Sequence, residues 1–178
     1  MSYFIISAPS GCGKTTVIRH LMESFSNIRQ SISVTTRPKR AEEKESLDYY
    51  FKSKQDFLNH IKEGELLEYT KIFDHYYGTL RSELKRLEQF HIIFDVDIHG
   101  MRRLKEALPQ ATSIFITPPS IDELKRRLCV RGQDSHESIA QRLSHAKNDL
   151  AYQDEYDYVI LNDQLPLALK EVQAIMCV

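Results

Sequence analysis

An apolar run, Tyr3-Phe4-Ile5-Ile6-Ser7, is followed by Ala8-Pro9-Ser10-Gly11-Cys12-Gly13-Lys14-Thr15-Thr16, and then by Val17, Ile18, Leu21, Met22 and Phe25 at helical spacing. This order of strand, glycine-rich turn and helix constrains the fold more than any other feature of the chain. Glycines let successive backbone N–H groups face one concavity, and the first turn of the helix adds partial positive charge. The combination is an anion site suited to the phosphates of a nucleoside triphosphate. Lys14 would reach the β- and γ-phosphates, and the Thr15 hydroxyl would ligate Mg²⁺. Ser10, Gly11, Cys12, Gly13 and Thr16 complete the candidate triphosphate-contacting set. Cys12 reads as a small tolerated residue, since no histidine base adjoins it in sequence.

The rest of the chain repeats the alternation. Apolar strand patterns cover residues 91–96, 113–117 and 158–161, and helical patterns cover 100–108, 121–130, 137–152 and 164–176. Short strands alternating with helices predict a doubly wound parallel sheet of the α/β class. Residues 33–80 break the rhythm. They are polar, basic at first and rich in tyrosine, and read as an inserted lobe of short strands with one helix near 54–61. Residues 131–137 form a second polar interruption. The 178 residues suit one full core. We therefore expect a single domain over 1–178, with a core of 1–32 and 81–178, a lobe at about 33–80 and a lid at about 126–145.

Charge and cysteine content exclude several function classes. Lys and Arg total 24 against 25 Asp and Glu, with no basic tail, which speaks against a nucleic-acid partner. The three widely spaced cysteines build neither a disulfide framework nor a zinc site. The N-terminus lacks the basic region of a signal peptide, and no apolar run approaches a membrane span. The expectation is a cytoplasmic protein without a membrane partner. Nothing in the pattern fixes an oligomeric state.

A phosphate loop alone states only that a nucleoside triphosphate binds. The remaining motifs are Ser33-Val34-Thr35-Thr36-Arg37-Pro38-Lys39-Arg40, Glu43, Asp48-Tyr49-Tyr50-Phe51, Glu68 and Tyr76-Tyr77-Gly78-Thr79. They continue with Ile93-Phe94-Asp95-Val96-Asp97-Ile98-His99-Gly100, Arg127-Leu128, Arg131-Gly132, Arg142-Leu143 and Leu161-Asn162-Asp163. In this order, over nearly the whole chain, they resemble the guanylate kinases, which transfer phosphate from ATP to GMP. The resemblance implies that Arg37, Arg40, Tyr49 and Tyr77 hold the GMP phosphate, while Ser33, Glu68, Thr79 and Asp97 read the guanine. It implies that Arg127, Arg131 and Arg142 come to the transferring phosphoryl group and act with Lys14 in catalysis. Asn162 would lie near the adenine of ATP, and Asp95 near Mg²⁺, through water. Ala8, Glu42 and Ser46 each replace a common glycine of the family, and Asp149 stands where a glutamate is usual.

The residue chemistry supports the same reading. Guanine presents N1–H and N2–H₂ as donors and O6 as an acceptor, so a carboxylate such as Glu68 accepts two parallel hydrogen bonds. A hydroxyl from Ser33 or Thr79 can donate to O6. Adenine would mismatch the carboxylate, and a hydrogen-bonding site rejects such a misfit strongly. Deoxy-GMP remains an expected acceptor, because base and phosphate carry most of these contacts. Two rivals are a kinase for ribose 1,5-bisphosphate, which needs no guanine reader, and a non-catalytic protein-binding module, which typically loses the loop lysine or phosphate arginines. The Asn-Lys-x-Asp motif of P-loop GTPases is absent.

Overall fold

β1 (Tyr3–Ser7) is the middle strand of a five-stranded parallel sheet in the order β2-β7-β1-β8-β9, with β2 Ile28–Gln30, β7 His91–Asp95, β8 Thr112–Thr117 and β9 Tyr158–Leu161. The computed structural model describes residues 1–72, 74–130 and 136–176. Because side chains alternate along a strand, β1 feeds two cores. Phe4 and Ile6 pack on one face with Val17, Ile18 and Leu21 of α1 (Lys14–Ser24) and Val172 of α7 (Leu165–Met176). Ile5 packs on the other with Phe94, Phe115, and Met101 and Leu104 of α4 (Ile98–Ala107). The register sets Ile6 beside Asp95, so the carboxyl ends of β1 and β7 open together on one edge. In open α/β sheets this edge carries the ligand crevice.

The lobe contributes a second sheet, ordered β4-β3-β6-β5, from β3 (Ser33–Thr35), β4 (Tyr49–Phe51), β5 (Leu66–Ile72) and β6 (His75–Leu80). Helix α2 (Lys54–Lys62) covers it, placing Phe57 against Val34 and Leu66. Ser53 caps α2 by accepting the Asp56 N–H at 3.1 Å. Polar bonds tie the lobe to the core. Buried Glu83, on α3 (Ser82–Arg86), accepts from the Ile32 N–H at 2.7 Å, from the Tyr50 hydroxyl at 3.0 Å and from the Arg86 guanidinium.

The parallel sheet and the larger helices fall where the periodicity places them, with ends differing by one or two residues, as frayed termini do. Strand β2 and helix α3 carry no such signal. β2 has three residues and one buried apolar side chain; the His91 N–H to Asn27 carbonyl bond (2.8 Å) and its pairing with β7 hold it. The remaining helices are α5 (Ile121–Val130) and α6 (His136–Leu150). No described helix is long and apolar enough to cross a membrane.

Candidate active site

The phosphate loop is shaped by two left-handed glycines, Gly11 at φ 96° and Gly13 at φ 89°. Gly13 is the residue on which α1 begins, and a Cβ there would lie 2.7 Å from the Asn162 side-chain nitrogen. That nitrogen donates to the Cys12 carbonyl at 2.7 Å. Asn162 is buried and braces the loop from the end of β9, which puts its amide on the protein backbone. Cys12 is fully buried, and burial pushes its thiol up to about 12, so it stays protonated and inert. Ser10 and Thr15 are exposed, with the Thr15 hydroxyl in the first turn of the helix and Thr16 half-buried behind it. Lys14 pairs with Asp95 at the end of β7, and that carboxylate raises the lysine pKa against the opposing effect of burial.

A cavity of about 300 Å³ runs from Lys14 and Asp95 into the lobe, where Ser33, Tyr49, Glu68, Tyr77 and Asp97 line it. Glu68 is 3% exposed. The strand register slips between Leu66 and Glu68, a bulge that lets Leu66, Leu67 and Glu68 all turn inward despite the two-residue alternation of a strand. Burial raises the Glu68 carboxyl to about 7, opposed by the Thr79 hydroxyl, which donates to it at 2.7 Å. Thr79 is fully buried and spends its hydroxyl proton on Glu68, while Ser33 lines the cavity. Asp97 caps α4, accepting the Gly100 N–H at 2.8 Å. Gly100 is required there, since a Cβ would meet Val96 Cβ at 2.8 Å and Glu68 Oε2 at 3.0 Å.

Arg37 lies outside the cavity wall, on the loop between β3 and β4. Its guanidinium forks onto Glu43 at 2.6 and 3.0 Å, donates to the Pro38 carbonyl at 2.8 Å, and sits 5.3 Å from the Tyr49 ring centre. Arg40 is exposed; its backbone N–H donates to Glu43 at 2.8 Å. Tyr49 and Tyr77 meet edge to face at 6.2 Å. Ser46, at φ 61°, is the one described non-glycine residue in the left-handed region. Its N–H donates to the Tyr49 carbonyl at 2.9 Å, so the strained turn sets the position of that tyrosine.

Of the arginines expected from the lid, Arg127 is half-buried and donates to Glu123 at 2.8 Å. It lies near enough to lower the Cys12 pKa electrostatically. Arg142, on α6, lines a wider opening of about 850 Å³ with Ser10, Asp97, His145 and Asp149. Arg131 lies outside the described residues. Residue patterns gave no sign of Glu83, the lobe's anchor, nor of Tyr156 and Ser7, which line the floor of the smaller cavity.

A parallel sheet whose first strand feeds a glycine-shaped anion loop, facing a lobe with a buried carboxylate, defines a P-loop NTPase fold with a second, acceptor-like pocket. Comparison with known proteins narrows this. The family model described as guanylate kinase matches residues 1–177. Curated guanylate kinases from Legionella pneumophila (strain Lens) and Hydrogenovibrio crunogenus are 41% and 42% identical. They align with 97% and 98% of this chain and 84% and 86% of their own lengths. The crystal structure of guanylate kinase from Anaplasma phagocytophilum superposes with a TM-score of 0.80 at 31% identity, over 99% of this chain and 84% of that one. This chain belongs to the guanylate kinase family. A shikimate kinase from Bacteroides thetaiotaomicron, at TM-score 0.55 and 13% identity, shares the fold alone.

Proposed function

We propose that the protein is a cytoplasmic enzyme that transfers the γ-phosphoryl group of ATP to GMP, giving ADP and GDP, and that it also accepts dGMP. The observation that carries this reading is buried Glu68, held by Thr79 in a cavity that opens on Lys14. A carboxylate there accepts from guanine N1–H and N2–H₂, while Ser33 donates to O6 and Asp97 offers a further acceptor. Base and phosphoryl chemistry thus share one enclosure.

Catalysis is positioning and charge neutralisation. A phosphate oxygen of GMP attacks the γ-phosphorus; the bond to the β,γ-bridging oxygen breaks, and ADP leaves with that electron pair. Lys14 and the loop N–H groups hold the triphosphate. Arg37, Arg40, Tyr49 and Tyr77 hold the acceptor phosphate, and Arg127, Arg131 and Arg142 neutralise the transferring group. Asn162 orders the loop and borders the adenine side. The Thr15 hydroxyl and Asp95 are hard oxygen donors on adjacent elements, and no described cluster of three or more acidic, histidine or cysteine residues forms a metal cage. This fits Mg²⁺, which is held largely by phosphates and water. When bound, Mg²⁺ supplies charge neutralisation on the phosphates.

The test is ADP formation from ATP and Mg²⁺ with GMP, dGMP, AMP, CMP, UMP or ribose 1,5-bisphosphate added separately. Turnover with GMP and dGMP is expected. Turnover with the sugar bisphosphate alone, or with no acceptor, overturns the reading.

A further inference from the structure

Helix α4 carries the cations Arg102, Arg103 and Lys105 close together, and two of them are paired with acids. Arg102 forks onto Glu155 at 2.5 and 2.7 Å, and Lys105 donates to Asp157 at 2.6 Å. Arg103 is exposed and has no acid partner among the described residues; its guanidinium lies 4.3 Å from the centre of the Tyr69 ring on β5. A guanidinium seated on an aromatic face is held in place with its charge uncancelled.

That place adjoins Glu68. Tyr69 follows Glu68 on β5, and the Glu68 carboxylate lies against the first turn of α4, where its Oε2 is 3.0 Å from the point that a Cβ on Gly100 would occupy. Arg103 stands three residues beyond Gly100, on the same side of the helix. Glu68 belongs both to the acceptor cavity and to an outer recess that Arg81, Arg103 and Glu106 line. From β6 the Thr79 hydroxyl donates to Glu68, and Lys14, Tyr49, Tyr77, Asp95, Asp97 and Asp149 line the same cavity. Burial raises the Glu68 carboxyl and Asp97 adds to the rise; the Thr79 hydroxyl and the charge of Arg103 oppose it. Guanine needs the ionised carboxylate, so burial and Asp97 work against base reading, and Arg103 is the cation that works for it.

We infer that Arg103 is a positioning residue for base recognition: held on the Tyr69 ring outside the cavity, it acts through Glu68 and keeps that carboxylate charged for guanine. It touches no part of the acceptor. The inference rests on the acceptor reading above and adds a residue to it.

The test compares the unsubstituted protein with Arg103→Gln, which keeps the length of the side chain and removes its charge, and with Arg103→Lys, which keeps the charge. KM for GMP is measured at pH 6 and pH 8, and each variant is taken as a ratio to the unsubstituted protein at the same pH, so that the titration of GMP itself cancels. Loss of one exposed charge moves the Glu68 inflection up by about half a pH unit. The ratio for Arg103→Gln should therefore be about threefold at pH 6 and close to one at pH 8, with kcat and KM for ATP unchanged. Arg103→Lys should stay near one at both. In a Glu68→Gln background, Arg103→Gln should have no pH-dependent effect. A ratio of one at pH 6 overturns the inference. So does an equal rise at both pH values, which marks a structural or general electrostatic role, or a Lys variant that behaves like the Gln variant. An effect that persists in the Glu68→Gln background also overturns it. Failure of the unsubstituted protein to turn over GMP would instead overturn the acceptor reading itself, and this inference with it.

Discussion

Residues 8–16 form the phosphate loop as one stretch of chain, whereas the cavity proposed to take the acceptor draws Ser33, Tyr49, Glu68, Tyr77 and Asp97 from separate strands and loops. The loop presents mainly backbone N–H groups, fixed by Gly11 and Gly13 and braced by Asn162. The pocket presents side chains, whose aim depends on a bulge, a helix cap and a strained turn. The loop is thus a local conformation that tolerates little change, while the proposed base-reading site is a convergence that tolerates change in one contact at a time.

Substitutions at the two ends are expected to separate accordingly. The largest effect is Lys14→Ala, which should lower kcat about a thousandfold or more, by analogy with loss of a transition-state cation, while GMP binding survives. Calorimetry showing equal loss of GMP binding would break the division between the ends. Glu68→Gln comes next: its amide turns an N–H toward a guanine donor, and KM for GMP should rise roughly 10- to 100-fold with KM for ATP unchanged.

Glu68 also gives a pH signature. With its carboxyl raised to about 7 in the empty pocket, protonation removes the acceptor pair that guanine needs. KM for GMP should therefore rise as pH falls below about 7, and the Gln variant should lack that inflection. Stability moves the other way. The folded protein binds this proton up to about pH 7, while the unfolded chain releases it near the ordinary carboxyl value. The ligand-free protein thus loses stability relative to Glu68→Gln as pH rises from 5 to 8. Parallel melting curves across that range would refute the shift.

Gly13→Ala should cost about 1–2 kcal/mol of stability and weaken ATP, because the new Cβ meets both the left-handed backbone and Asn162. Undiminished ATP affinity would show that the loop adapts. The smallest effect is on the acceptor side. Ser46→Gly should raise stability by about 0.5–1 kcal/mol in chemical denaturation, relieving the left-handed serine, with KM for GMP nearly unchanged. A loss of stability would sink that account.

The contrast also sets what a reader of the chain could see. The parallel sheet was legible because its strands are apolar on both faces and its helices carry a buried stripe. β2 and α3 were not, since pairing with β7 and the tethers of Glu83 hold them rather than any apolar pattern. Glu68 and Asp97 could be named from motif order, but nothing in the order tells how the hydroxyls of Ser33 and Thr79 are placed. The fold gives Thr79 to Glu68 and leaves Ser33 on the cavity. Likewise Asn162 stands in its motif, yet its amide bonds to Cys12, 150 residues away in sequence.

The sequence by itself determined the phosphate loop, the class of sheet and the family. Each rests on neighbours in the chain: glycine conformations, helix polarity and short-range periodicity act over a few residues. Only the tertiary structure decided the burial that raises Glu68, the fork of Arg37 on Glu43 and the bond of Asn162 to the phosphate loop. Desolvation and hydrogen-bond satisfaction depend on what the whole fold brings within a few ångströms, and that is set by the packing of distant segments.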